Sequence, residues 1–288
     1  MRKVGIVIVF ICMLIFNQQV LAHDIKIGLI TNVSSLRLGT STYAPVINSR
    51  TNKTIYMLDP MRNYEFRADG NNILIKIGGK YYSLDTDEIA VRPDYDGYVS
   101  AKSKWYRGIF IVKNINGALV LINKLDMEDY LRGVVPSEMP SSWAFEAHKA
   151  QAVAARSYAY ANLGKRGKYG YDLKDTPEDQ AYNGASAETD NTDQAVKDTE
   201  GIVILYDAKI IPAYYSASAG GQTVTAGQVW SRDLPYVRSV PSFDGNVKKN
   251  GHGVGMSQHG ANNLAKQGYY GYQILQYFYK NITFARIR

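Results

Sequence analysis

Cysteine is nearly missing from this chain. Its 288 residues include one, Cys12, inside an apolar stretch near the start. Residues 23–288 therefore form no disulfide among themselves and offer no thiolate for catalysis. Histidine is scarce too, with four. No His-Glu-x-x-His pattern or cysteine pair accompanies them, and no metal site is expected. No Gly-Lys-Ser/Thr phosphate loop is present, and neither a cofactor nor a nucleic-acid partner is expected. The apolar run Val4–Phe16 has 13 residues, short of the roughly 20 that span a membrane. With Arg2 and Lys3 before it and Val20-Leu21-Ala22 after it, residues 1–22 read as a signal peptide, or else a retained anchor. Export to the cell wall, the extracellular space or the outer membrane face is the expectation. An acidic balance is also lacking. Lys and Arg number 33 against 26 Asp and Glu, a formal charge of +7, or +5 without Arg2 and Lys3. A basic exported surface suits acidic envelope polymers, although dispersed lysines also make ordinary solvated faces.

What is present divides near residue 102. From Asp24 to about Asn123, short apolar or alternating runs stand between turns, as in Ile73–Ile77 before Gly78-Gly79. Asn116-Gly117 between two apolar runs is a strong hairpin signal. Leu125–Leu131 suits a short helical turn. Residues 143–162, rich in alanine and free of internal Gly and Pro, predict a helix ended by Gly164 and Gly167. Residues 168–194 are polar and turn-rich, as in a long exposed loop. Ile202–Tyr206 and Ile210–Tyr215 suggest a second hairpin. Gly251–Gly255 forms a glycine-rich loop leading into a helix capped by Ser257, and a short helix follows over about 272–278. The expected fold is α+β: a β-rich N-terminal region of mostly antiparallel hairpins (23–102), then a core (103–288) with a central alanine-rich helix, hairpins and the glycine loop–helix.

Glu138 stands between Pro136 and Pro140. Both prolines restrict φ and bias the preceding residue away from helix, so a non-helical elbow presenting one acid is expected. Lys149 and Arg156, seven apart, lie about 20° from each other on a helix. With Ala152 between them they form a cationic stripe, beside a second stripe of Gln151, Ala155 and Tyr158. This suits either a ligand surface or a solvated face on a helix packed through its alanines. In Gly251-His-Gly-Val-Gly-Met-Ser-Gln258, glycine lets a ligand approach the backbone, and His252, Ser257 and Gln258 suit sugar hydroxyls. Ser218 with His252 and an acid leaves a hydrolase triad open, but glycine is missing two residues before Ser218, where Ser216 stands. The 23 tyrosines suit sugar stacking and sheet faces alike.

Several segments together resemble one family. They are Tyr106-Arg-Gly108, Glu128-Asp-Tyr-Leu131, the Glu138 segment, Lys149-Ala-Gln-Ala-Val-Ala-Ala-Arg-Ser-Tyr158, Tyr215-Ser-Ala-Ser-Ala-Gly-Gly221 and Gly251-His-Gly-Val-Gly-Met-Ser-Gln258. This set, spread from about Ser103 to the C-terminus, is similar to the SpoIID/LytB family of stage II sporulation protein D and the amidase enhancers. The resemblance implies a lytic transglycosylase acting on peptidoglycan glycan strands, in sporulation members on strands already stripped of stem peptides by an amidase. It implies a cell-wall amidase and membrane-bound sporulation proteins as further partners. Glu138 is then the catalytic acid. Lys149, Gln151, Arg156, Tyr158, Tyr215, Ser216, Ser218, His252, Gly253, Met256, Ser257 and Gln258 are then substrate-binding. Zinc-binding members carry one His and two Cys where spacing places Lys168, Lys174 and Asp179 here, so no zinc site is expected. The segment between Val240 and Gly251 is shorter than in many members. A transglycosylase needs only one carboxylate, which must be protonated near neutral pH and hence have its pKa raised by burial. Val134, Val135, Met139 and Trp143 are the expected apolar surroundings. Lys149 and Arg156 are expected on substrate oxygens or the lactyl carboxylate rather than on Glu138.

Overall fold

The computed structural model describes residues 24–287; residues 1–22, expected to be a signal peptide or anchor, with Cys12 among them, and His23 lie outside them. No helix among the described residues is long and apolar enough to cross a membrane.

The fold is α+β. Twelve strands between Asp24 and Asp126 build most of two sheets. One sheet runs in the order Leu173–Lys174, Asp24–Val33, Ala118–Asp126, Ile109–Ile115, Glu88–Val91, Ala44–Asn48, Thr54–Leu58. The other runs Lys104–Tyr106, Val99–Ala101, Ser35–Thr40, Asn63–Asp69, Asn72–Ile77, Lys80–Ser83. All these pairings are antiparallel except that of Leu173–Lys174 with Asp24–Val33. Alternation along the strands turns Leu36 and Leu38, Tyr64 and Phe66, and Ile73 and Ile75 into one shared core, as period-two side-chain geometry requires. The Asn116-Gly117 hairpin forms with Ile115 opposite Ala118. Both turn residues have positive φ, 53° and 83°, the backbone of a type I′ turn. Strand pairs cross residue 103, joining Val99–Ala101 to Lys104–Tyr106 and Glu88–Val91 to Ile109–Ile115.

Five α-helices follow: α1 (Met127–Glu138), α2 (Phe145–Ala161), α3 (Asp190–Asp198), α4 (Gln258–Lys266) and α5 (Gly271–Phe278). The Asp126 side chain caps α1 by accepting from the Glu128 N–H at 2.8 Å, with Glu128 and Asp129 in the first turn where the helix dipole favours them. Two expectations fail here. The region from 125 is no single turn but a 12-residue helix. The Glu138 elbow is not extended: Pro136 lies inside the last turn of α1, and Glu138 is its final residue. A proline so near a helix end removes little of the hydrogen-bond ladder, while Val134 and Val135 gain full burial. The chain turns extended only at Met139.

Helix α2 separates two hydrophobic cores. Ala152, Ala155, Tyr158 and Ala159 join the core of the sheets. Ala147, Ala150, Val153 and Ala154 join a second core with Ile204, Val254, Met256, Leu275 and Phe278. Residues 150–159 are all buried. Alanine lets elements pack against a helix from every side, so the expected packing through alanines is present, but Gln151 and Arg156 are buried and make neither a solvated face nor a ligand surface.

The C-terminal hairpin pairs Ile202–Tyr206 with Lys209–Ile210 only, and Thr283–Arg286 completes a small sheet. The predicted strand over 210–215 stops at Ile210, just before Pro212, which has no N–H to give. Tyr215–Ser216 instead pairs in parallel with Met256–Ser257. Residues 168–194 also differ from an exposed loop: Tyr171, Leu173, Gln180 and Tyr182 are buried, and α3 begins at Asp190.

Candidate active site

Glu138 lies where the two cores meet. Val134 and Val135 sit in the first, Met139 in the second, and Trp143 packs on the second. The carboxyl stands in a cleft of about 700 Å³. Its Oε1 accepts from the Ala181 N–H at 2.8 Å and the Tyr215 hydroxyl at 3.5 Å. Its Oε2 accepts from Gln258 Nε2 at 3.1 Å. Every donor is neutral. Burial, the largest effect, raises the Glu138 pKa above the ordinary carboxylate value, and the three donors oppose it without cancelling it.

Three chain segments aim these donors. Gln180, buried beside Ala181, donates to the Tyr215 hydroxyl at 2.8 Å and to the Ala155 carbonyl at 3.2 Å. Because the Tyr215 oxygen accepts from Gln180, its own proton is free to point at Glu138. The Tyr130 hydroxyl donates to Gln180 Oε1 at 3.2 Å. Asp179, next in the chain, is held by Lys165 and Arg166, each at 2.6 Å, and by the Lys174 N–H at 2.8 Å. Burial alone would raise its pKa; these partners outweigh burial and hold it below the usual range. Asp179, one of the three positions where zinc-binding members carry ligands, thus makes ion pairs.

The glycine loop supplies Gln258. Ser257 caps α4, accepting from the Gly260 N–H at 3.1 Å, and donates to Asp244. Asp244 Oδ2 also accepts from the Ala219, Gly220 and Gly221 N–H groups and the Ser242 hydroxyl. Burial opposes ionisation of Asp244, but these bonds prevail and keep its pKa low. Gly255 has φ +75°, and a Cβ there would overlap the Tyr214 carbonyl, so the loop's close return needs glycine.

The structure gathers only part of the sequence-derived set. Tyr158, Tyr215, Ser216, His252 and Gln258 line the cleft with Glu138. The backbone N–H of Gly253 donates to the Ser216 hydroxyl at 3.2 Å. His252 Nδ1 accepts from the Val254 N–H at 2.9 Å, and burial, then nearby Lys249, lowers its pKa.

Others are placed elsewhere. Arg156, expected on substrate, is fully buried and holds Glu128 through two bonds of 2.7 and 2.5 Å. It also donates to the carbonyls of Ile202 and Val196. A buried guanidinium requires such a partner set, so Arg156 joins elements rather than facing ligand. Lys149 pairs with Glu146 at 2.9 Å, lies over the Phe145 ring and lines a different cavity with Tyr270 and Tyr272. Gln151 is buried inside the protein. Met256 belongs to the second core, and Ser257 is a helix cap. Ser218 is buried and donates to the Lys248 carbonyl, which leaves no Ser218–His252 pair.

Sequence reasoning missed Gln180, Ala181, Tyr214 and Trp230. The first two sit in a polar stretch without periodicity. Trp230 carried no pattern, but an aromatic isolated among polar and turn residues was a usable signal.

The fold and site define an α+β protein with one carboxylate, bound only by neutral donors, in an aromatic cleft. Residues 115–206 match the family model described as stage II sporulation protein. The chain is 31% identical over 200 residues to an uncharacterized protein of Brachyspira hyodysenteriae, covering 65% of this chain and 54% of that one. It is 32% identical over 214 residues to the amidase enhancer of Bacillus subtilis, covering 70% of this chain and 29% of that protein. Stage II sporulation protein D of Bacillus amyloliquefaciens is 32% identical over 136 residues, 42% of this chain and 40% of that protein. Through residues 115–206 the chain shares the region common to the stage II sporulation protein D and amidase enhancer family. It spans about half of the first relative and less than a third of the second.

Proposed function

We propose that this protein cleaves peptidoglycan glycan strands, outside the cytoplasmic membrane, as a lytic transglycosylase. The observation that carries this is the state of Glu138: a carboxyl with a raised pKa, held by neutral donors and free of any cation. Glu178 and Asp179 also line the cleft, but both are ion-paired. Hydrolysis with two free carboxylates flanking the bond therefore lacks its second group. A transglycosylase uses one. The protonated Glu138 gives its proton to the glycosidic oxygen as the bond from the muramic acid anomeric carbon breaks. The carboxylate so formed then takes the proton of that sugar's C6 hydroxyl as the hydroxyl oxygen bonds to the anomeric carbon. The product is a 1,6-anhydro sugar, no water is consumed, and Glu138 ends protonated. The donors from Ala181, Tyr215 and Gln258 stabilise the transient carboxylate, and Tyr158, Tyr214 and Trp230 offer ring faces to sugar.

Digestion of sacculi, with and without prior amidase treatment, followed by mass spectrometry of the sugars tests this. Anhydro-muramic products from the wild type and their loss in Glu138→Gln are expected. No product from either protein, or equal yields, overturns it. A second reading draws on the similarity to the amidase enhancer over 70% of this chain. There the protein binds glycan and stimulates a cell-wall amidase without cutting. That reading predicts faster peptide release by the amidase, undiminished in Glu138→Gln, with no anhydro sugar.

A further inference from the structure

The surface around Glu138 continues past Tyr214 and Trp230. Their ring centroids stand 4.6 Å apart, and both residues line not only the Glu138 cleft but also a second cavity of about 510 Å³. The two spaces thus share a wall. Tyr206, Pro212 and Tyr236 line the second one, with Lys209, Arg232 and Asp207 among its charged groups. Tyr206 and Tyr236 lie with ring centroids 5.5 Å apart.

Two features there point to a ligand. Tyr236 is 4% exposed, and its buried hydroxyl has no hydrogen-bond partner in the protein. A buried polar group left unpaired costs free energy that an incoming partner recovers. The cations are the second feature. Arg232 and Lys209 make no ion pair among the described residues, whereas Lys165, the lysine that lines the Glu138 cleft, is held by Asp179. With Asp207 the lining carries a net single positive charge. Aromatic faces, one unpaired buried hydroxyl and free cations are the elements of a site for a sugar bearing a carboxylate.

We propose that this cavity is a second saccharide subsite, which holds the same strand beyond the reacting sugars and prefers a residue with a free carboxylate. It rests on the glycan reading above. Arg232 and Lys209 replace Lys149 and Arg156 as the residues that sense the exposed lactyl carboxylate of peptide-free strands.

The test uses the full protein carrying Glu138→Gln, so that strands bind without being cut. The probes are amidase-stripped glycan strands and the same strands with their carboxyl groups chemically reduced to alcohols. Adding Arg232→Ala and Lys209→Ala together should weaken binding of the stripped strand about tenfold, the scale of a lost charge-assisted contact, and leave the reduced strand unchanged. Adding Tyr236→Phe, which keeps the ring, should weaken both strands. Undiminished binding in either variant, or equal loss of both strands in the double variant, overturns the subsite while leaving the reading of Glu138 intact. Failure of the Glu138→Gln parent to bind either strand overturns the glycan reading, and the subsite with it.

Discussion

The two ends of helix α1 carry one glutamate each, and their surroundings differ in a single respect. Glu128, in the first turn, accepts two bonds from the buried guanidinium of Arg156 and a third from the Gly201 N–H at 3.2 Å. Glu138, at the last residue, accepts three bonds from neutral groups. Both are well hydrogen-bonded. Only Glu138 lacks a counter-charge, and its pKa is raised by burial. The contrast teaches that being hydrogen-bonded does not by itself set the proton affinity of a carboxylate; the balance of burial against its partners does. Three neutral donors do not outweigh burial at Glu138, whereas the five neutral donors around Asp244 do.

The most direct way to break this contrast is to remove each side's chemistry in turn. Glu138→Gln should lower anhydro-sugar formation about a hundred- to ten-thousand-fold, the usual contribution of a general acid–base, read by product mass spectrometry. Arg156→Met should leave turnover per folded molecule unchanged and cost about 2–4 kcal/mol of stability in urea unfolding. Loss of one partner of a buried pair is that severe, moderated because the Glu128 side chain keeps 26% exposure. Reduced turnover with unchanged stability would return Arg156 to the substrate.

A finer division concerns proton affinity. Gln258→Ala removes a donor that favours the carboxylate, so the Glu138 pKa should rise further. The limb of the pH–rate profile on which activity falls with increasing pH should then move up by about half to one unit, since a neutral hydrogen bond contributes roughly 0.5–1.5 kcal/mol and 1.36 kcal/mol equals one unit. Stability carries the same signature with its own sign. A folded pKa above the unfolded one means that the folded state holds the proton more tightly. That stability is fully present below the unfolded pKa and lost as pH rises through the folded pKa. Relative to Glu138→Gln, the wild type should therefore lose stability as pH rises across that window. Lys149→Ala should have the smallest effect, within about 1 kcal/mol in stability, as for a solvent-accessible i,i+3 pair, and none on cleavage.

Much of the fold was legible because its signals are local. Asn116-Gly117 sets its turn by its own φ preferences, and the alanine-rich run became α2 within two residues at its start and one at its end. Ser257 was readable as a cap, since a cap needs only the next turn. Glu138 was singled out for a reason the structure corrects: Pro136 does not keep it from the helix but sits within it. Arg156 was misplaced because helical spacing gives an angle and not the identity of what lies across it. Nothing in residues 168–194 announced that Gln180 and Ala181 pack beneath the acid. Their partners Tyr215, Tyr130 and Glu138 are 35 to 50 positions away, beyond the reach of any periodic pattern.

The sequence by itself determined the class of structure, the Asn116-Gly117 hairpin, helix α2 and the glycine loop leading into α4, because backbone preference, side-chain alternation and residue size act over a few neighbouring positions. It also supplied the one acid. Only the tertiary structure decided what each charge does. It enclosed α2 between two cores and so obliged Arg156 to take Glu128. It brought three neutral donors from three distant segments to Glu138. The free energy of a charge depends on burial and on the groups that meet it in space, and chain order does not specify either.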